Sequence, residues 1–256
     1  MKTKAEIVNN WLPRYTGEKL SNFGKYILLT NFSNYVSLFA DWNGVKVVGA
    51  DKPMQCATAD DITIINFGMG SPTAATVMDL LTAIEPHAVL FLGKCGGLKK
   101  RNKLGDLILP IAAIRGEGTS NDYFPPEVPA LPAFALQKAV STTIRDHGVD
   151  YWTGTVYTTN RRIWEHDDAF KIYLQRIRAY AIDMETATIF SVGFYNRIPP
   201  GALLLVSYTQ LSPYVVKTQQ SDRNITGLFV EKHIKIGIAS LKQLINGGLT
   251  VRHLKF

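Results

Sequence analysis

Two unbroken apolar runs constrain the fold of this chain more than any other feature. Residues 88–92 and 202–206 each hold five apolar residues in a row, a length that suits a strand better than a helix. A strand that is apolar on both sides must be buried on both faces, as in sheets that are covered by helices. Helical patterns alternate with the strand candidates, which predicts one α/β domain over residues 1–256.

Shorter patterns extend this outline. Further strands are predicted at residues 26–30, 45–48, 61–66, 106–114, 153–159 and 181–184, where apolar or β-branched residues cluster. Helices are predicted at residues 73–84, 134–146, 167–177, 185–196 and 224–245. Ser71 is predicted to cap the first of these helices, with Pro72 in its first turn. Residues 123–132 contain four prolines, which predicts an ordered loop.

Composition and charge exclude several classes of protein. A chain of 256 residues that is 46% hydrophobic can bury a core, so intrinsic disorder is excluded. The net charge of +7 raises the possibility of nucleic-acid binding, but the basic residues are scattered. The densest group, residues 99–101 beside Lys103, is typical of a solvated loop. A net positive charge is equally typical of an enzyme that attracts phosphorylated substrates. No nucleic-acid partner is therefore expected.

The location of the protein can also be predicted. The chain has no apolar run of about 18 residues and no secretory signal pattern, so no membrane contact is expected. The two cysteines, Cys56 and Cys95, form neither a disulfide framework nor a zinc cluster. A cytoplasmic location is therefore expected.

Glycine-rich and acidic segments follow several of the predicted strands. Residues 68–70 and 93–97 are expected to form glycine-rich turns that either let a ligand approach closely or are only tight connections. Asp183 and Glu185, on either side of Met184, either bind ribose hydroxyls or form a solvated helix start. Because ligands gather at the carboxyl ends of strands in such folds, these segments predict a binding site.

Basic and aromatic residues supply further candidates. Arg161 and Arg162 suit a phosphate, although an ordinary surface pair is the alternative. Three aromatic residues either stack on a base or pack in the core: Tyr157, Trp164 and Phe124. Residues 165–168 are interpreted as a capping cluster rather than a metal site, because consecutive residues cannot easily share one metal. Cys95 is interpreted as a small packing residue.

The order of these motifs resembles that of the nucleoside phosphorylase superfamily, and most closely that of its AMP nucleosidases. The superfamily features are the segments GMGSP at 68–72, GKCGGL at 93–98 and DME at 183–185. The features similar to AMP nucleosidases are RGEGTS at 115–120, YFPPEVPALP at 123–132, YTTNRRIWEHD at 157–167 and VRHLKF at 251–256. The resemblance extends from about residue 15 to the end.

The resemblance implies a three-layer α/β/α fold with a central mixed sheet and a homohexamer. It implies hydrolysis of AMP to adenine and ribose 5-phosphate without a metal or organic cofactor. Met69 and Met184 would then pack against the ribose, and Glu185 would hold its hydroxyls. The other residues implicated in substrate binding are Tyr157 and Ile182 beside the base, Arg161 and Arg162 as phosphate ligands, and Gly70, Lys94, Arg115, Thr119, Asn160 and Asp183.

Two departures from the superfamily pattern bear on the reaction. Residues 30–35 lack the cation with which phosphorylases hold inorganic phosphate, which favours hydrolysis, although Lys94 could also anchor a phosphate. Tyr208 stands where the superfamily has an aspartic acid that protonates the departing purine. Tyr208 therefore impairs purine hydrolysis or recognises another base, or Asp222 supplies the acid. A nucleoside phosphorylase and a nucleotide-binding protein with impaired turnover remain the alternatives.

Overall fold

Eight strands and seven α-helices alternate along the part of the chain that the structure describes. A computed structural model describes residues 2–209 and 219–247, with side chains described throughout except at residues 219–228. The strands are β1 (Tyr26–Thr30), β2 (Cys56–Ala59), β3 (Ile62–Asn66), β4 (Ala88–Gly97), β5 (Leu107–Gly116), β6 (Tyr151–Thr159), β7 (Ala181–Asp183) and β8 (Pro200–Thr209). The helices are α1 (Lys4–Thr16), α2 (Ser33–Asn43), α3 (Ser71–Leu80), α4 (Phe134–Asp146), α5 (Asp168–Arg176), α6 (Thr186–Tyr195) and α7 (Gln219–Asn246).

The strands form one mixed sheet in the order β2-β3-β1-β4-β7-β6-β5-β8. Strand β4 also pairs with β8 in parallel, so the last five strands close into a ring. Antiparallel pairing is confined to β2–β3, β4–β7 and β5–β8. The predicted α/β fold with a central mixed sheet is confirmed.

Helices cover both faces of the sheet. In β1, Ile27 and Leu29 belong to a core with residues of α1, α3 and α6, whereas Leu28 belongs to a second core with residues of α2, α4 and α7. Successive side chains of a strand point to opposite faces, so a strand that is apolar at every residue serves both cores. Among the helices of the described part of the chain, none combines the length and apolarity that a membrane crossing requires.

Local patterns predict several elements well. Strand β1 and helix α4 have the predicted bounds, and the loop at residues 123–132 follows a short 3₁₀ helix (Thr119–Asp122). The glycine-rich turn predicted at residues 93–97 is wrong, because β4 continues through Gly97. Glycine is required at these strand positions because neighbouring side chains occupy the space in which a Cβ atom would lie. At Gly93, for example, a Cβ would lie 2.4 Å from Phe91 Cζ.

Other predictions are wrong near the edge of the sheet and at one helix start. Only Val48 of the predicted strand 45–48 is bridged, to Cys56 of the edge strand β2. Gly70, at φ 94°, is the N-cap of α3 in place of Ser71. The Ser71 hydroxyl instead donates to the Met184 carbonyl at 2.7 Å, so it joins two segments that are distant in sequence. Helices α1 and α2 and strand β2 are not predicted from the sequence.

Candidate active site

An open pocket lies at the carboxyl ends of the central strands, where ligands bind in sheets of this type. Its empty volume is about 570 Å³, solvent at the mouth included. The lining comes from the ends of β4, β6, β7 and β8 and from the segments that follow β1 and β3. It consists of Asn31, Phe32, Met69, Lys94, Cys95, Thr159, Arg161, Arg162, Trp164, Ile182, Asp183, Met184, Glu185, Ser207 and Tyr208.

The Glu185 carboxylate is held where α3 and α6 begin. The backbone N–H of Gly70 donates to one of its oxygens at 2.7 Å, and the N–H of Met184 donates to the other at 3.2 Å. Glu185 is buried. Burial and then the charge of Asp183 raise the pKa of Glu185 above its ordinary value, whereas the N–H groups of Gly70 and Met184 stabilise the ionised carboxylate and lower it. Two backbone donors thus fix the orientation of this carboxylate and leave it further lone pairs for a ligand.

The neighbouring Asp183 carboxylate is occupied by protein groups. The Thr158 hydroxyl donates to one oxygen at 2.7 Å, and the Thr186 N–H donates to the other at 2.8 Å. The Thr186 hydroxyl also donates to this second oxygen. Asp183 therefore ties β6 and β7 to the first turn of α6, which holds the adjacent Glu185 in place.

Among the described residues, three cationic side chains line the pocket. The Arg161 guanidinium donates twice to Asp167 at 2.9 Å and lies over the Phe170 ring. The guanidinium of Arg162 comes no closer than 4.0 Å to the Glu165 carboxylate, which is long for an ion pair. The Lys94 ammonium lies 4.4 Å from the centroid of the Phe32 ring. Of the two arginines, Arg162 is the less constrained.

Tyr208 occupies the part of the lining formed by β8. It pairs with Gly96 across a bulge between β4 and β8, and its ring takes the space that a side chain at position 96 would need. Burial raises the pKa of Tyr208 above its ordinary value, with Glu165 as the next contribution. The side chain is therefore a neutral hydroxyl near pH 7.

Cys95 fits its interpretation as a packing residue. Its side chain is buried, and burial raises the pKa of the thiol well above its ordinary value. A thiol in such surroundings stays protonated and unreactive near pH 7. In the described part of the chain, no three histidine, cysteine or acidic side chains gather as they would around a metal ion.

Several residues implicated by the resemblance lie outside the pocket lining. Arg115 donates to Ser120, Asn121 and the carbonyls of Phe124, Pro125 and Val128, so it organises its own loop. Tyr157 packs against Phe170 and Tyr173 beside α5. Three more residues do not line the pocket, namely Gly70, Thr119 and Asn160, although Gly70 holds Glu185. The side chain of Asp222 and the segment at 251–256 lie outside the described residues.

The structure also brings in residues that the sequence analysis did not select. Asn31 and Phe32 follow β1 directly, and the Asn31 amide donates to the Gly68 carbonyl at 2.5 Å. Thr159 ends β6, and Ser207 donates to the Cys95 carbonyl at 3.3 Å. The signal that could have identified them is their common place at the carboxyl end of a predicted strand.

Comparison with known proteins places this arrangement in a family. A family model described as the phosphorylase superfamily matches residues 25–229. The AMP nucleosidase of Escherichia coli (strain K12) is 29% identical over an alignment of 279 positions, which covers 91% of this chain and 57% of that protein. The uridine phosphorylase of Treponema pallidum (strain Nichols) is 26% identical and matches 90% of this chain and 93% of its own length.

Solved structures agree with the sequence comparisons. The crystal structure of AMP nucleosidase from Bacteroides thetaiotaomicron VPI-5482 is 55% identical, covers 96% of this chain and 99% of that chain, and has a TM-score of 0.87. A uridine phosphorylase from Vibrio fischeri ES114, at 20% identity and a TM-score of 0.78, shares the fold. The family match covers most of the chain, and the chain therefore belongs to the phosphorylase superfamily.

Proposed function

We propose that this protein hydrolyses the N-glycosidic bond of AMP to give adenine and ribose 5-phosphate. The observation that carries the proposal is the Glu185 carboxylate, fixed by two backbone N–H groups in a pocket that the thioether residues Met69 and Met184 also line. A 55% identical solved structure carries the name AMP nucleosidase, which supports AMP as the substrate. The chain spans 57% of the length of the Escherichia coli AMP nucleosidase.

Glu185 is suited to stabilise the reacting sugar. Glycosidic bonds of this kind break through a transition state in which the ribosyl ring carries positive charge. A carboxylate that accepts the ribose hydroxyls strengthens those hydrogen bonds as the charge develops. The two backbone donors hold the carboxylate in one orientation. The carboxylate is therefore already oriented, so little conformational entropy is lost when the substrate binds.

The phosphate of AMP would be bound by the cations of the pocket. Within the described part of the chain, the guanidinium of Arg162 has one long contact, to Glu165, and the side chain is half-exposed, so it can turn toward an anion at low cost. Arg161 is already bound to Asp167. The planar fork of an arginine matches two phosphate oxygens. We therefore assign the main phosphate contact to Arg162.

The reaction needs one water molecule and one proton donor. The water oxygen bonds to the anomeric carbon, the bond from that carbon to the base breaks, and its electron pair stays on the base. The base takes up a proton, and the attacking water loses one. Tyr208 is a poor proton donor because burial raises its pKa. Purine hydrolysis is therefore expected to be slow unless Asp222 supplies the acid.

One assay tests this proposal and its rivals. Release of free adenine from AMP is measured by chromatography with and without inorganic phosphate, and adenosine serves as the comparison substrate. The proposal expects adenine release that does not need phosphate and that is much faster from AMP. Release that depends on phosphate would contradict hydrolysis. Tight AMP binding with no release would instead favour a nucleotide-binding protein with impaired turnover.

A nucleoside phosphorylase is the second candidate. The match to a uridine phosphorylase over 90% of this chain supports it. Lys94 lines the pocket and could hold inorganic phosphate for such a reaction. The assay above distinguishes the two, because only a phosphorylase yields ribose 1-phosphate from a nucleoside and phosphate.

We also propose assembly as a homohexamer. Ile163 is 76% exposed, and Met69, which lines the pocket, is 57% exposed. A partner subunit that covers these side chains would remove their apolar surface from water, which favours assembly. Light scattering measures the mass directly, and a monomer at micromolar concentration would contradict the proposal.

A further inference from the structure

A group of four basic side chains outside the pocket has no role in the proposed reaction. Lys99, Lys100 and Arg101 belong to the loop after β4, and Arg178 belongs to the turn before β7. The loop and the turn meet where the Leu98 N–H donates to the Tyr180 carbonyl at 2.9 Å. We call these four residues the basic cluster.

Aromatic rings hold two members of the cluster in place. The Arg101 guanidinium lies 4.4 Å from the centroid of the Trp152 ring and donates to the Tyr180 hydroxyl. The Lys99 ammonium lies 5.1 Å from the centroid of the Tyr180 ring. Such contacts restrict long side chains before any ligand arrives, so less conformational entropy is lost on binding.

The positive charges are not compensated nearby. In the described part of the chain, no carboxylate lies within 4.0 Å of a cationic nitrogen of the cluster. Asp106 is close to Trp152 but accepts from its indole N–H and from the Lys103 N–H. Burial, followed by the charges of Arg101 and Arg178, lowers the pKa of Lys99. Like charges held together in this way attract a multiply charged anion.

We propose that the basic cluster is a binding site for a polyphosphate group, either as a free anion or as the chain of a nucleoside polyphosphate. Arginine and lysine together match the several oxygens of such a group. A single-stranded nucleic acid is disfavoured, because its bases need open aromatic faces for stacking. Here the cations already lie on the rings of Trp152 and Tyr180.

The site is separate from the pocket but shares its strands. Gly97 pairs with Ala181, and Gly96 pairs with Ile182, so the cluster lies where β4 ends and β7 begins, on the two strands that carry Lys94 and Asp183 into the pocket. Lys94 and Gly97 are three residues apart on β4, which corresponds to about 10 Å along the strand. The two sites must therefore be distinguished in any binding experiment.

Isothermal titration calorimetry on the full chain tests the proposal, with inorganic tripolyphosphate and UTP as probes at low salt. We expect one tripolyphosphate per chain. Lys100→Glu and Arg101→Gln should each weaken binding at least tenfold, since a charge-assisted contact contributes about ten- to a hundredfold. Lys100 is exposed and has no described side-chain partner, so its substitution does not disturb the fold. Equal affinity for the two probes would identify the phosphates as the recognised group, and tighter UTP binding would identify a nucleotide.

Two matched variants serve as controls. Lys138→Glu makes the same charge reversal as Lys100→Glu, but on the exposed face of α4. It should change the affinity for tripolyphosphate by less than twofold. Arg162→Ala alters the pocket and should also change the affinity for tripolyphosphate by less than twofold. The proposal is overturned if Arg162→Ala abolishes binding while the cluster variants do not. It is equally overturned if a twelve-nucleotide single-stranded RNA binds more than tenfold tighter than either probe.

Discussion

The phenol ring of Tyr208 lies directly against the backbone of Gly96. A Cβ atom at position 96 would stand 2.6 Å from Tyr208 Cζ and 2.8 Å from the hydroxyl oxygen. Real Cβ atoms do not come so close to another heavy atom, so the two positions depend on each other. The glycine of β4 is therefore a condition for the tyrosine that lines the pocket on β8.

Gly96→Ala should displace the Tyr208 ring and destabilise the fold. Overpacking of a filled interior costs about 1–3 kcal/mol. The free energy of unfolding, measured by urea denaturation, should fall by that amount. In a Tyr208→Ala background the same substitution should cost much less, because the ring is gone. Equal costs in both backgrounds would show that the ring does not limit position 96.

Tyr208→Asp should raise AMP hydrolysis at least tenfold. A positioned acid contributes about 10²–10⁴-fold to reactions of this kind, and burial makes the present tyrosine hydroxyl a weak acid. Initial rates of adenine release measure the effect. Tyr208→Asn is the matched control, since it has a similar size without an acidic proton. If the wild-type protein is already fast and Tyr208→Asp gains nothing, Asp222→Asn becomes the next variant to measure.

Glu185→Gln should lower kcat for AMP more than it raises KM. The carboxylate stabilises the charged ribosyl ring, and that charge is present only in the transition state. The amide also presents a donor where Gly70 or Met184 now donates, so one backbone contact is lost. Steady-state kinetics separate the two constants. A rise in KM at constant kcat would mean that Glu185 only binds the substrate.

Arg162→Ala should reduce the preference for AMP over adenosine about ten- to a hundredfold, the size of one charge-assisted contact. Arg161→Ala is the matched comparison. It should act mainly by releasing Asp167, the N-cap of α5, and so lower thermal stability. The ratio of kcat/KM for AMP and adenosine is the measurement. A larger loss of preference in Arg161→Ala would reverse the assignment.

Acidic conditions should destabilise the protein through His233. This buried histidine faces the Leu203 carbonyl through Nε2 and the Tyr35 hydroxyl through Nδ1, both at 2.9 Å. Burial, more than any other influence, lowers the pKa of His233 from 6.5 to about 4. The unfolded chain therefore binds this proton more readily, and stability falls as pH drops from 6.5 to 4 by about 1.4 kcal/mol per unit.

His233→Gln removes this titration and keeps a side chain that can donate and accept. Urea denaturation of both proteins between pH 4 and 7 gives a difference curve that cancels the contribution of the carboxyl groups. The difference should change steadily between pH 6.5 and pH 4 and level off above pH 6.5. If the free energies of unfolding of the two proteins run parallel between pH 6.5 and pH 4, the pKa of His233 is not lowered by burial.

The local pattern of the sequence determined the elements whose hydrogen bonds and periodicity depend on near neighbours. Strand β1 and helix α4 follow from apolar spacing alone, and the acidic segment at 183–185 falls at a strand end as expected. The α/β class follows from strands that are apolar on both sides. Helices α1 and α2 were not recognised, and only the folded structure shows what covers them: α1 packs against α3, and α2 packs against β2, β3 and α7.

Only the tertiary structure decided which strand ends meet. Glu185 is fixed by Gly70, which lies 115 residues away in sequence, and Tyr208 depends on Gly96 across a bulge. An alternation of strands and helices does not specify the order of the strands or the pairing of β4 with β8. It also does not show that a glycine such as Gly96 makes room for a neighbouring ring instead of forming a turn. Arg115 shows the same limit, because its guanidinium turns to its own loop instead of the pocket. Contacts of this kind arise from packing between distant segments, which no local pattern contains.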